Sequence, residues 1–127
     1  MALSQAPVCA TLPFDGLGKA DGFYSEKLGL KRISGSADEG YLLYEAGSGS
    51  TIMLFESDSK KSEDTAATFN VSDLDMEVAE LKKKGVTFEE YDLPGIKTIN
   101  GVAQMGEMRG AWVKDPGGNI LSIMEAK

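Results

Sequence analysis

One pattern of apolar and turn residues runs through this chain twice, and that repetition limits the fold more than any other feature. Pro7 to Phe14 alternates as a strand, with Val8, Ala10 and Leu12 against Cys9, Thr11 and Pro13. Asp15 to Gly18 turns the chain. Leu17, Ala20, Phe23, Tyr24 and Leu28 then recur at helical spacing, and Gly29 sits where a helix C-cap belongs. Strands are expected at Lys31–Ser34, Tyr41–Tyr44 and Thr51–Glu56, separated by Gly-, Ser- and Asp-rich turns. After the polar, aperiodic stretch 57–64 the order begins again. Ala66–Val71 reads as a strand with Ala67, Phe69 and Val71 on its apolar face. Ser72 and Asp75 have the spacing of a capping box, Leu74, Val78 and Leu81 make a helix stripe, and Gly85 caps it. Strands are expected at Val86–Tyr91, Val102–Gln104, Met108–Lys114 and Asn119–Met124.

Laying Cys9 on Ala66 also lays Thr11 on Thr68, Phe14 on Val71 and Leu17 on Leu74. The chain therefore reads as two β-α-β-β-β modules, at about 7–56 and 65–125, joined by an exposed linker at 57–64 within a single domain of residues 1–127. At the end of the second module stands A-W-V-K-D-P-G-G-N-I-L-S-I-M. Pro116 fixes one φ and Gly117-Gly118 permit others, so Asp115 to Asn119 must bend the chain sharply between two apolar strands.

This terminal run, with F-Y-S-E-K-L-G-L in the first half and F-N-V-S-D-L-D and L-K-K-K-G-V-T-F in the second, resembles the vicinal oxygen chelate superfamily. That superfamily includes glyoxalase I, extradiol dioxygenases and bleomycin-resistance proteins. The resemblance covers essentially the whole chain. It implies an α+β fold in which two β-α-β-β-β modules form a curved eight-stranded sheet around a cavity, and it implies a homodimer with pockets near the subunit interface.

Metal-dependent members carry four inward-facing ligands, and the resemblance puts those positions at Cys9, Met53, Ala66 and Ser122. The chain contains no histidine at all. That removes His-ligated metal sites, Ser-His-Asp systems and imidazole acid–base chemistry. Alanine has no donor, a serine hydroxyl is a poor one, and Cys with Met suits only a soft ion. The four positions thus read as vacated, with no metal and no cofactor expected.

What remains is a binding surface. Strand alternation places Thr11, Phe55, Thr68, Asn70, Trp112 and Met124 on the faces not needed for helix packing. The glycine-rich segment 93–110 is expected to close over one end, with Met105 and Met108 as adaptable apolar surface, and Tyr91 joins the candidate ligand-binding set. The first reading is a metal-free protein binding a small aromatic or amphipathic molecule in the inter-module or dimer cavity. The alternative is a lyase, isomerase or dioxygenase with a non-standard metal site, or a metal-free catalyst using Glu56, Glu107, Tyr91 or Arg109. Whether the chain is an enzyme stays open, and the vacated positions weigh against it.

The net charge of -7 argues against a partner that tracks nucleic-acid phosphates. One cysteine makes no internal disulfide, no apolar run is long enough to span a bilayer, and a cytoplasmic location is expected.

Overall fold

Strand alternation of this kind requires two-faced sheets, and a computed structural model contains two of them. It describes residues 3–59 and 62–125. The chain divides into two compact units, Met1–Lys61 and Ser62–Lys127, so the division falls inside the polar stretch that separates the repeats.

The first unit holds β1 (Cys9–Phe14), a short helix α1 (Asp21–Tyr24), β2 (Lys31–Ser36), β3 (Tyr41–Glu45) and β4 (Thr51–Glu56). Its strand order is β1-β4-β3-β2, with β1 parallel to β4 and the other pairs antiparallel. Leu12 and Phe14, Leu42 and Tyr44, and Ile52 and Leu54 bury one face, with Leu17, Ala20, Phe23 and Tyr24 equally buried. Tyr24 stacks on Tyr44 at 5.4 Å and meets Phe23 edge-on at 5.3 Å. The Tyr44 hydroxyl donates to Asp21, whose carboxylate also pairs with Arg32 at 3.3 Å. Burial, then the bond to Asp21, pushes the phenol well above its ordinary pKa, so it stays a donor.

The helix expected from Leu17 to Leu28 is broken. A 3-10 turn spans Leu17–Lys19, and α1 is four residues long. Gly18 and Gly22 lie between the apolar positions and weaken helix formation, so packing of Phe23 and Tyr24, not propensity, holds this segment.

The second unit contains β5 (Thr65–Asn70), α2 (Leu74–Lys83), β6 (Asp92–Leu93), β7 (Ile96–Ile99), β8 (Val102–Met105), β9 (Met108–Lys114) and β10 (Ile120–Glu125). They form a six-stranded sheet in the order β5-β10-β9-β8-β7-β6, with β5 parallel to β10. Helix α2 lies along β9 and β10, burying Leu74, Val78 and Leu81. The protein is thus α+β with two mixed sheets of four and six strands, where eight strands in one curved sheet were expected.

The difference arises at Val86–Tyr91. That stretch makes one bridge, Phe88 to Val113, with a bond from the Glu89 amide to the Trp112 carbonyl, and its last residue, Tyr91, is bonded to Thr98. The chain then folds into two further hairpins. The second turns at Asn100-Gly101, where both φ angles are positive (54° and 87°), the geometry a two-residue hairpin turn needs. Residues 93–110, expected to close over one end with strands only at Val102–Gln104 and from Met108, are therefore mostly strand.

The cap of α2 is also not the one expected. Asp73, not Ser72, is the N-cap, its side chain accepting from the Met76 amide at 3.1 Å. Asp75 instead receives Arg109 at 2.7 Å, and each partner holds the other in its charged form. At the other end Gly85 follows the helix with φ 88°.

Each module also ends its last strand in a glutamate that reaches the start of the module's helical segment. Glu56 accepts from the Gly16 and Leu17 amides at 2.8 and 3.1 Å, and Glu125 accepts from the Leu74 amide at 2.8 Å. Since Leu17 lies on Leu74 in the repeat, the two carboxylates are one device used twice. Glu125→Ala should lower the free energy of unfolding by about 1 kcal/mol, the usual loss for a missing helix cap. Urea denaturation checks this. An unchanged midpoint would mean that water satisfies the Leu74 amide equally well.

Candidate functional site

The site is built on the face of the six-stranded sheet opposite α2. Along β10, Leu121, Ile123 and Glu125 point toward the helix, so Ile120, Ser122 and Met124 point away from it. The register places Thr68, Ser122 and Trp112 side by side across β5, β10 and β9. Trp112 therefore stands on the face away from α2, where neighbouring side chains bury it. It packs with Ala103 and Ile120, and Tyr91, Ile96, Met105 and Met124 close around this cluster. Tyr91 meets the indole edge to face at 5.5 Å and 79°.

The strand–turn–strand at the chain's end aims Trp112 and Ile120 together. Asp115 accepts from the amides of Gly117 and Asn119 at 2.8 and 2.9 Å and from the Asn119 side-chain amide at 2.9 Å. Asp115 and Asn119 are both buried, so this network fixes the register of β9 on β10. Gly110 does a second job. A Cβ there would lie 2.6 Å from the Met124 sulfur and 3.1 Å from the Met105 terminal carbon, so its absence makes room for both thioethers.

Beside the aromatic cluster lies a concavity of about 220 Å³ lined by Glu63, Asp64, Tyr91, Trp112 and Ile120, with Thr65, Leu93 and Ile96 completing it. The neighbouring row is polar. Ser122, 1% exposed, sits 2.7 Å from the Thr68 hydroxyl, which is exposed. Either hydroxyl can donate in this bond, and Thr68 is the more exposed of the two residues. Burial first, then the negative charge of Glu89, raises the Tyr91 pKa, so its phenol remains protonated and can donate but not act as a base.

Of the expected ligand-binding residues, Thr68, Tyr91, Met105, Trp112 and Met124 share this face, and Asn70 has the same strand parity as Thr68. Thr11 and Phe55 lie in the first unit, where Thr11 pairs with Met53 and Pro13 with Phe55, on the sheet face opposite Leu12 and Leu54. Ile96, Ala103 and Ile120 were not anticipated. Ile120 was legible by parity with Ser122 and Met124; Glu63 and Asp64 carried no signal, because acids in a polar linker read as solvated.

The superfamily's metal does not fit the four positions that would hold it. Cys9 is exposed and its thiol donates to the Ala10 carbonyl at 3.5 Å. Ala66 offers a methyl group, and Ser122 is committed to Thr68. Among the described residues no three Cys, Asp or Glu side chains are placed to share an ion. Glu56 faces the other way, onto the Gly16 and Leu17 amides. The catalytic candidates do not converge: Glu107 is in the β8–β9 turn, and Arg109 is bound to Asp75 and Glu125 on the helix side.

A larger concavity of about 550 Å³ lies around β6 to β9, lined by Leu93, Lys97, Ile99, Val102, Gln104 and Arg109, among others. It is the more open of the two. Ile99 is 71% exposed, and the Arg109 guanidinium is already engaged. The Trp112 concavity is smaller, and of the two it is the one that joins an aromatic pair, Trp112 buried and Tyr91 half-buried, to acidic side chains.

The family model of the Glyoxalase/Bleomycin resistance protein/Dioxygenase superfamily matches residues 9–123. No curated protein matches the chain. Among solved structures, a glyoxalase/bleomycin resistance protein/dioxygenase from Alicyclobacillus acidocaldarius is 18% identical with a TM-score of 0.71, covering 99% of this chain and 95% of its own. TnmS3, an antibiotic binding protein from Streptomyces sp. CB03234, is 18% identical with a TM-score of 0.66, covering 100% and 99%. The fosfomycin resistance protein FosX from Listeria monocytogenes, complexed with Mn(II), is 18% identical with a TM-score of 0.67, covering 99% and 93%. At these identities the likeness is one of fold. No helix among the described residues is long and apolar enough to cross a membrane.

Proposed function

The chain belongs to the Glyoxalase/Bleomycin resistance protein/Dioxygenase superfamily, and on that premise we propose that it is a metal-independent binding protein for a small planar or amphipathic molecule. The ligand lies against Trp112 and Tyr91 on the face of the six-stranded sheet away from α2, with the Thr68 hydroxyl as a nearby hydrogen-bonding group. One observation carries the reading. Of the positions that metal-dependent relatives would use for chelation, Ser122 is here a hydroxyl bonded to Thr68 beside an aromatic pair, and Ala66 has no donor atom in its side chain. The fold is shared with an antibiotic binding protein, which supports binding as a sufficient role. The same reading carries a homodimer, which sedimentation would test.

The experiment is a thermal-shift screen of planar and amphipathic compounds, run with and without a strong chelator and paired with elemental analysis. A ligand at a hundredfold excess over its Kd should stabilise the native state by about 2.7 kcal/mol, with the chelator making no difference. One tightly held Zn, Mn, Fe or Ni per chain, whose removal abolishes the shift, would overturn the proposal in favour of a metal site.

A further inference from the structure

We infer that the molecule held against Trp112 is cationic: a ring-sized planar body carrying an ammonium, amidinium or guanidinium group directed at Glu63 and Asp64. This rests on the binding reading above and adds the ligand's charge to it. The aromatic concavity is the site, and its rim decides the sign. Its wall is apolar through Tyr91, Leu93, Ile96, Trp112 and Ile120, and the remaining lining residues are Thr65, Glu63 and Asp64. Two acidic residues therefore share the lining with the rings, and among the described residues that line it none is basic.

The basic groups of the same sheet are committed or lie elsewhere. Lys114 pairs with Glu89 at 3.7 Å, and Arg109 with Asp75 at 2.7 Å and Glu125 at 3.4 Å. Lys97 lines the other concavity. An anion entering the Trp112 concavity would meet two like charges on a chain of net charge -7. A cation would find both carboxylates and the negative ring faces that attract it. The volume sets the size. About 220 Å³ is below the range usual for drug-sized ligands, so the body is one or two fused rings.

Three probes that differ in charge test this: 2-naphthamidine, 2-naphthamide and 2-naphthoate, titrated calorimetrically into the full chain. The amidine should bind about tenfold tighter than the amide, the scale of two solvent-screened ion pairs, and the carboxylate most weakly. The amidine's advantage should shrink as salt rises. In the Glu63→Gln/Asp64→Asn variant, amidine and amide should bind alike. Equal binding of all three, or an amidine preference that survives in the variant or ignores salt, would overturn the charge assignment while leaving the binding proposal in place. Absence of binding by all three at millimolar concentration would count against both.

Discussion

Leu121→Ala should destabilise the protein by about 3 kcal/mol, within the range of buried leucine truncations. Leu121 is completely buried near the start of β10, the strand held on both sides by β5 and β9. It pairs with Ala67 and Val113, and its side faces α2, where Leu74, Val78 and Leu81 supply the opposing wall. Truncation removes contacts from three elements at once, and a paired central strand cannot collapse to fill the space. The urea midpoint should fall with the slope unchanged. The matched control is Leu3→Ala, at a residue 90% exposed, where a change within about 0.5 kcal/mol is expected. A loss at Leu121 below about 1 kcal/mol would mean that α2 does not pack on β10 as described.

The second large effect is at Trp112. Trp112→Ala should weaken any ligand found in the screen by more than about 30-fold, because a truncated central aromatic anchor commonly removes 2 kcal/mol or more of binding. The indole is the centre of the cluster with Ala103 and Ile120 and the partner of Tyr91. Its loss also opens a cavity of its own, costing about 3 kcal/mol of stability. Trp112→Phe separates the two effects, since it retains a ring against Tyr91. That variant should fold nearly as well as the parent yet bind more weakly, having less area and no N–H. Full affinity in both variants would remove Trp112 from the site.

How much of this was legible in the sequence depends on where a segment's partners lie. β4 alternates because one of its faces is buried and the other is not, and β10, buried along both faces, still keeps its helix-side residues two apart. That is why Ile52 and Leu54, and Leu121 and Ile123, fall correctly together. The turn at Asp115 was legible for a local reason, since the bonds of its carboxylate to Gly117 and Asn119 close within five residues. The failures are tertiary. Ser72 and Asp73 are equally competent caps, and the choice depends on Asp75 being drawn to Arg109 on β9. Val86–Tyr91 has strand letters, but the hairpins after it take the space on the outer side of β9, leaving it one bridge. In the site, parity alone placed Thr68, Trp112 and Met124 on one face. The acids at Glu63 and Asp64 were opaque because nothing in a polar linker says which residues turn toward an aromatic pair.

The central claim, that ligand lies against Trp112, has a built-in reporter, because the chain has one tryptophan. The measurement is a titration of Trp112 emission with the compound giving the largest thermal shift, alongside calorimetry on the same samples. The account predicts a saturable change in emission whose midpoint equals the calorimetric Kd. A compound that raises Tm and binds by calorimetry while leaving the emission unchanged would contradict it, and would place binding elsewhere on the protein.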